Sequence, residues 1–370
     1  MKKVTTALFL ILFTVFTASC ANEAPQLTDF LEYKVDFSKE FIVVEKKPDE
    51  AFTVLNLSDS QLTSAEWHEG TVTRDVIIYT LNELINRIDP DMITLSGDLA
   101  WAEEIGSYRN LAEILDGYGI PWAPVWGNHD NEKDFGAVDR VEMLYSAYKN
   151  CIYQAGDPNL GNGNYIISIQ ENGAPITGIF MVDSHNTSTY IGPDGVKFSG
   201  YSTLNDDQRS WYGYGVENMK DLGYKDSMII MHIPIFAYKT AFEEAFNSEY
   251  DPMLITWEES SDDKYWNEGY ESSFGVHYKP SGTPPVDDGM FELIKNHGHT
   301  SLVLAGHDHT NNFVINYKGI TLAQALHLGM GSYWHQSLNG GTVIKINSDG
   351  IYDIYHEYVN VDHIVAKYEE

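Results

Sequence analysis

The sequence predicts an α/β protein. Two observations carry that prediction: strand-length apolar runs that each end in a polar cluster, and segments of helical spacing set between the first three of those runs. A train of short strand candidates near the C-terminus, divided by Gly and Asn turns, adds a second sheet that closes on the first. The run 52–57 leads into Ser58 and Asp59, and 92–95 leads into Ser96, Gly97 and Asp98. The run 121–126 ends at Gly127, Asn128, His129 and Asp130; 228–231 ends at His232 and Pro234; 302–305 ends at Gly306, His307, Asp308 and His309. Val76, Ile77, Leu81, Leu84, Ile85 and Ile88 share one helical face, and Tyr108, Leu111, Ile114 and Leu115 share another. Such alternation implies βαβ units, in whose sheets ligands collect at the carboxyl ends of strands, where the polar clusters stand. Later strand candidates lie at 312–317, 321–326, 342–346 and 351–355. The segment 242–286 lacks clean periodicity and is crowded with Trp, Tyr and acids. It reads as a long insertion serving as a lid, a packed surface excursion or a partner surface.

A formal net charge of −31 repels phosphate backbones and leaves no basic stripe, which removes nucleic-acid polymers as partners. Lys2 and Lys3 precede an apolar stretch at 4–18, a signal-peptide pattern shorter than the roughly 20 residues that span a bilayer. Thr17, Ala18, Ser19 and Cys20 resemble a bacterial lipobox whose first position departs from the usual larger aliphatic residue. The expectation is a signal peptide at 1–19, lipid attachment at Cys20, a tether over 20–34 and a single domain over 35–370. The chain then sits in the bacterial cell envelope, on the periplasmic or cell-surface face, touching the membrane through its lipid alone; ordinary secretion is the alternative. Cys151 is left as a lone cysteine and reads as a small buried hydrophobe.

Singly, each polar cluster is ambiguous, since an Asp after a strand is often a helix cap and a lone His is often structural. In this order they resemble the five signature blocks of calcineurin-like metallophosphoesterases: Asp59; Gly97 with Asp98; Gly127, Asn128, His129 and Asp130; His232; and Gly306, His307, Asp308 and His309. The flanking sequence is most similar to the Dcr2-like and purple-acid-phosphatase-like branches. The resemblance implies a four-layer α/β/β/α sandwich of two mixed sheets flanked by helices. It also implies two metal ions bridged by Asp98, with Asp59 and His309 on the first and Asn128, His232 and His307 on the second. Mixed oxygen and imidazole donors suit Mn, Fe, Zn or Co better than Ca or Mg. The implied reaction is attack on a phosphomonoester by a metal-bridging hydroxide, with His129 protonating the leaving group and Asp130 orienting its ring.

One block departs from the family pattern. Where most members read Asp-x-His, Asp59 is followed by Ser60 and Gln61, and the position three after Asp98, a ligating Tyr in purple acid phosphatases, is Trp101. Gln61 is the candidate to complete the first metal through its carbonyl oxygen, with a structural role as the alternative. Asp183, His185, His335, His297 and His299 are weaker candidates and read as structural; Asp308 reads as a turn-capping residue pointing away from the metals. The substrate expected is a phosphorylated small molecule or glycan. A phosphodiesterase or pyrophosphatase of the same fold is the nearest alternative. A catalytically weakened ligand-binding lipoprotein is the alternative from another class.

Overall fold

The computed structural model describes residues 41–63, 65, 67–101, 105–132 and 147–369; the signal peptide expected at 1–19, Cys20 and the tether expected over 20–34 lie outside the described residues. The chain begins with β1 (Phe41–Glu45) and β2 (Phe52–Leu57), then α1 (Val72–Ile88), β3 (Met92–Ser96), α2 (Ile105–Gly117) and β4 (Trp122–Val125). The middle holds β5 (Tyr165–Glu171), β6 (Ala174–Val182), the hairpin β7 (Thr187–Ile191) and β8 (Lys197–Tyr201), then α3 (Asp206–Leu222), β9 (Asp226–Met231) and α4 (Ala237–Ala245). The last third holds α5 (Met290–His297), β10 (Thr300–Ala305), β11 (Val314–Tyr317), β12 (Ile320–Gln324), β13 (Gly340–Ile346), β14 (Tyr352–Tyr358) and α6 (Asp362–Glu369).

Two mixed sheets result. One runs β14-β13-β2-β3-β4, with β2, β3 and β4 parallel; the other runs β1-β5-β6-β9-β10-β12-β11, with β6, β9, β10 and β12 parallel. The alternating faces of the second sheet show the layering. Met228, Ile230, Leu302 and Leu304 point into one core with Val54, Leu55 and the α1 residues Val76, Ile77 and Leu81. Their neighbours Ile229, Met231, Val303 and Ala305 point into the other, against Trp211 and Val216 of α3 and Leu293 and Ile294 of α5. Helix, sheet, sheet and helix are thus stacked in four layers.

The C-terminal strands do not form the second sheet by themselves. β13 pairs antiparallel with β2, and β14 follows it onto that first sheet, whereas β11 and β12 extend the sheet built on β10. β2 is buried along its whole length and needs a strand on each side to satisfy its backbone, which β3 and β13 provide. The 242–286 segment is mostly a packed excursion: Phe242 and Phe246 stack at 5.2 Å, Trp266 lies edge-on to Phe246, and Trp257 stacks on Tyr358 at 3.8 Å. Cys151 is buried, and burial pushes its thiol far above the ordinary range, so it is no nucleophile. Among the described residues no helix is long and apolar enough to cross a membrane.

Candidate metal centre

The carboxyl ends of β2, β3 and β4 in one sheet meet those of β9 and β10 in the other, and each end delivers a polar side chain. The chain turns sharply to do so. Asp59, Asp98 and His307 hold left-handed backbone at φ 58°, 52° and 78°, a conformation costing non-glycine residues about 1–3 kcal/mol each. Hydrogen bonds on either side repay that strain: Asp59 N–H donates to Gly97 O at 3.0 Å and Gln61 N–H to Asp98 O at 2.9 Å. Gly127 is required by proximity rather than by φ, because a Cβ there would stand 2.1 Å from Asp98 Oδ1.

Two groups of donors form. Asp59, Asp98 and His309 make one, Asp98, His232 and His307 the other, each with ligand atoms within 4.8 Å of one another. Asp98 belongs to both. His309 Nε2 lies 3.2 Å from Asp59 Oδ1, and His232 Nε2 lies 3.2 Å from Asp98 Oδ2. Asn128 Oδ1 and His307 Nδ1 are 3.1 and 3.2 Å from that same His232 nitrogen, which places the amide oxygen in the second group. Outer partners fix the rings: His232 Nδ1 faces Ser96 O at 2.8 Å and His309 Nδ1 faces Tyr333 O at 2.5 Å, so both Nε2 atoms turn inward.

The electrostatics are those of a site built for cations. Burial drives the His232 ring toward neutrality, but the Asp98 carboxylate overcomes it and raises the ring to about 9. Asp98 and Asp59 are pushed up by burial and pulled below the usual carboxylate range by His232 and His309. His307 is held neutral by burial and by its charged neighbour His232. Donors on one cation at about 2.1 Å stand no more than about 4.2 Å apart, so both groups, whose atoms lie within 4.8 Å, fit an ion with little closing. Gln61 Oε1 is buried beside Asp98 with no hydrogen-bond partner among the described residues. His307 Nε2 also lacks one, but it turns toward Gly282, away from the donor group that its Nδ1 joins.

The calcineurin-like phosphoesterase family model matches residues 52–311, which spans every one of these donors. The chain belongs to the calcineurin-like phosphoesterase family. Its relatives include a protein named probable inactive purple acid phosphatase 14 of Arabidopsis thaliana, 23% identical over 74% of this chain and 64% of that protein. Another is Phosphatase DCR2 of Saccharomyces cerevisiae, 26% identical over 53% of this chain and 31% of that one. The chain thus spans less than two thirds of the length of these curated relatives. A solved dimetal phosphatase from Danio rerio shares the fold, with a TM-score of 0.53, 13% identity, and coverage of 84% of this chain and 98% of that one.

Within this phosphoesterase site, Gln61 sits against the shared carboxylate but turns its nitrogen to it: Nε2 donates to Asp98 Oδ2 at 2.9 Å while the oxygen expected to ligate is the orphan. His129 anchors to the site by its backbone N–H, 2.9 Å from Asp98 Oδ1, and its Nε2 lies 4.0 Å from Asp98 Oδ2. The carboxylate on its ring is not Asp130. Glu132 Oε1 stands 2.7 Å from His129 Nδ1, whereas Asp130 accepts N–H groups from Gly127, Leu99 and Ala100 and the hydroxyl of Tyr108. Successive loop side chains diverge, so the residue adjacent in sequence braces the turn and the one three away reaches the ring. Trp101 packs on His129 with ring centroids 4.2 Å apart, holding its plane instead of supplying a ligand.

The weaker candidates are structural. Asp183 accepts from Asn131, Asn162 and His185, and His185 pairs with Gln208 at 2.6 Å. His297 meets Glu217 at 2.7 Å, at the opposite end of β10 from His307; His299 lies at that same end, and its Nε2 is buried without a hydrogen-bond partner among the described residues. His335 Nδ1 bonds Ser337. Asp308 does point away from the two donor groups, toward Gly282 and Lys279.

Proposed function

We propose that this phosphoesterase is an exported phosphatase that hydrolyses phosphomonoesters of small molecules or glycans with two bound cations, of Mn, Fe, Zn or Co. The observation that carries the reading is that Asp98 belongs to both donor groups, which is what a carboxylate bridging two ions requires. Asp59, Asp98 and His309 would hold one ion, and Asp98, Asn128, His232 and His307 the other. Two such ions supply Lewis acidity and a water of lowered pKa, and against two carboxylates leave about two positive charges to meet a phosphate dianion.

The chain's own residues do the rest. Asp98 is oriented by two donors, His129 N–H on Oδ1 and Gln61 Nε2 on Oδ2, so its carboxylate plane is set before substrate arrives. Glu132 engages His129 Nδ1, leaving Nε2 as the atom that presents a proton to the leaving oxygen. Trp101 and Asp98 fix that ring between them. Cleavage then leaves alcohol and phosphate with no covalent enzyme adduct.

The Gln61 amide, together with relatives named as probable inactive phosphatases, favours a second reading as a ligand-binding lipoprotein. Metal analysis of the purified protein followed by a panel of mono-, di- and pyrophosphate esters decides between them. Two metals with monoester turnover support the phosphatase; two metals with no ester turned over support binding. Envelope location through Cys20 belongs to the same proposal, and labelling with a radioactive fatty acid in wild type but not in Cys20→Ala tests it.

A further inference from the structure

The end of the 242–286 excursion is tied to the loop that carries His307 and His309. Asp308 Oδ2 accepts Gly282 N–H at 2.9 Å, and Tyr278 N–H donates to Thr310 O at 3.3 Å. Asn311 exchanges two hydrogen bonds with the Lys279 backbone, accepting its N–H at 3.2 Å and donating to its carbonyl at 3.0 Å. Gly282 lies so close to His307 that a Cβ would stand 2.5 Å from the ring. This stretch is therefore a fixed wall beside the second donor group, not a free flap.

That wall delivers a cation. Lys279 Nζ stands 3.1 Å from Asp308 Oδ1, bonds the Tyr333 hydroxyl and lies 4.2 Å over the Tyr333 ring. Tyr333 in turn stacks on His309 at 4.3 Å with planes 9° apart. An ammonium has three donors, and these two partners leave one; the Lys279 side chain is 32% exposed, so that donor reaches solvent. Tyr201 of β8 sets its ring edge-on to His307 at 4.4 Å. Burial raises the Tyr201 hydroxyl above its ordinary range, and the charges of Lys279, Asp308 and Asp98 also act on it. In a chain with 23 Lys and Arg against 54 Asp and Glu, a positive side chain paired to the loop that carries His307 and His309 is against the trend of the surface.

We propose that Lys279 and Tyr201 form an anion subsite that takes a non-bridging oxygen of the phosphoryl group and selects the dianionic monoester over the monoanionic diester. This rests on the phosphoesterase reading. A point charge discriminates by the charge it faces, so loss of Lys279 penalises the dianion more than the monoanion.

Inorganic phosphate binding to the metal-loaded full chain, measured by calorimetry, tests it independently of turnover. Lys279→Met should weaken phosphate about tenfold or more with two metals retained, and Lys279→Arg should restore most of the affinity. With substrates, Lys279→Met should lower kcat/KM about tenfold for monoesters and under about threefold for diesters. Tyr201→Phe should weaken phosphate by a smaller factor without altering metal content. Wild-type phosphate affinity in Lys279→Met overturns the proposal. So does an equal loss for both ester classes accompanied by metal loss, which would make Lys279 a strut of the wall. Should wild type bind phosphate through Lys279 yet turn over no ester, the subsite stands and the phosphatase reading falls.

Discussion

Replacing Glu132 by Gln should slow cleavage of esters with poor leaving groups while leaving the metal centre intact. The carboxylate stands 2.7 Å from His129 Nδ1, the length of a charge-assisted hydrogen bond. Such bonds contribute about 1.5–3 kcal/mol when shielded. Here the ring is 25% exposed and the carboxylate 37%, so solvent reduces the figure to about 1 kcal/mol. Since about 1.4 kcal/mol is a factor of ten, Glu132→Gln should cost about fivefold in kcat/KM for an alkyl phosphate. It should cost little for p-nitrophenyl phosphate, whose leaving group needs no proton. His129→Ala removes the donor itself and should cost about a hundredfold on the alkyl ester. Steady-state kinetics on the two substrates, with metal content checked in each variant, reads the difference. A Glu132→Gln loss equal on both esters, or as deep as that of His129→Ala, would refute the positioning argument.

Gln61→His should tighten the first ion, because an imidazole replaces an amide that now donates to Asp98; unchanged metal affinity in a titration counts against a place for residue 61 at that ion. Asp130→Asn should lower thermal stability by about 2–3 kcal/mol, since an amide cannot accept all the N–H and O–H groups now directed at Asp130. Its leaving-group dependence should match wild type, and a selective loss on alkyl esters would restore Asp130 to the proton step. His277 is half-buried and His356 buried, and desolvation holds both at about 4, so their neutral forms favour the fold; the stability they contribute is full above about 6.5 and is lost as pH falls toward 4. Each adds up to about 1.4 kcal/mol per pH unit in that window, and His277→Phe should flatten the acid limb of a denaturation series; an unchanged slope would show that the ring is protonated in place.

Much of the site was legible because each donor follows an apolar run. Asp59, Asp98, Asn128, His232, His307 and His309 all lie within four residues of the end of a buried strand, so periodicity placed them at one edge, while their grouping around two ions came from the family resemblance. The partners of the late strands were not legible. β11, β12 and β13 are similar apolar stretches, and only the unfilled edge of β2 decides that β13 joins it. Asp130 was misread for a related reason: adjacency in sequence says nothing of direction in a turn, and Glu132 reaches the ring by a loop geometry that no pattern encodes. Lys279 lies in an aperiodic segment nearly thirty residues before its partner Asp308, and its place at the site follows from tertiary contacts alone.

The proposed site depends on one carboxylate serving two ions. Anomalous scattering from crystals of the metal-loaded protein, collected at the Mn, Fe, Co and Zn edges, measures this directly. Two peaks about 3.5–4 Å apart are expected, one beside Asp59 and His309, the other beside Asn128, His232 and His307, with Asp98 between them. A single peak, or two peaks of which only one touches Asp98, would contradict it.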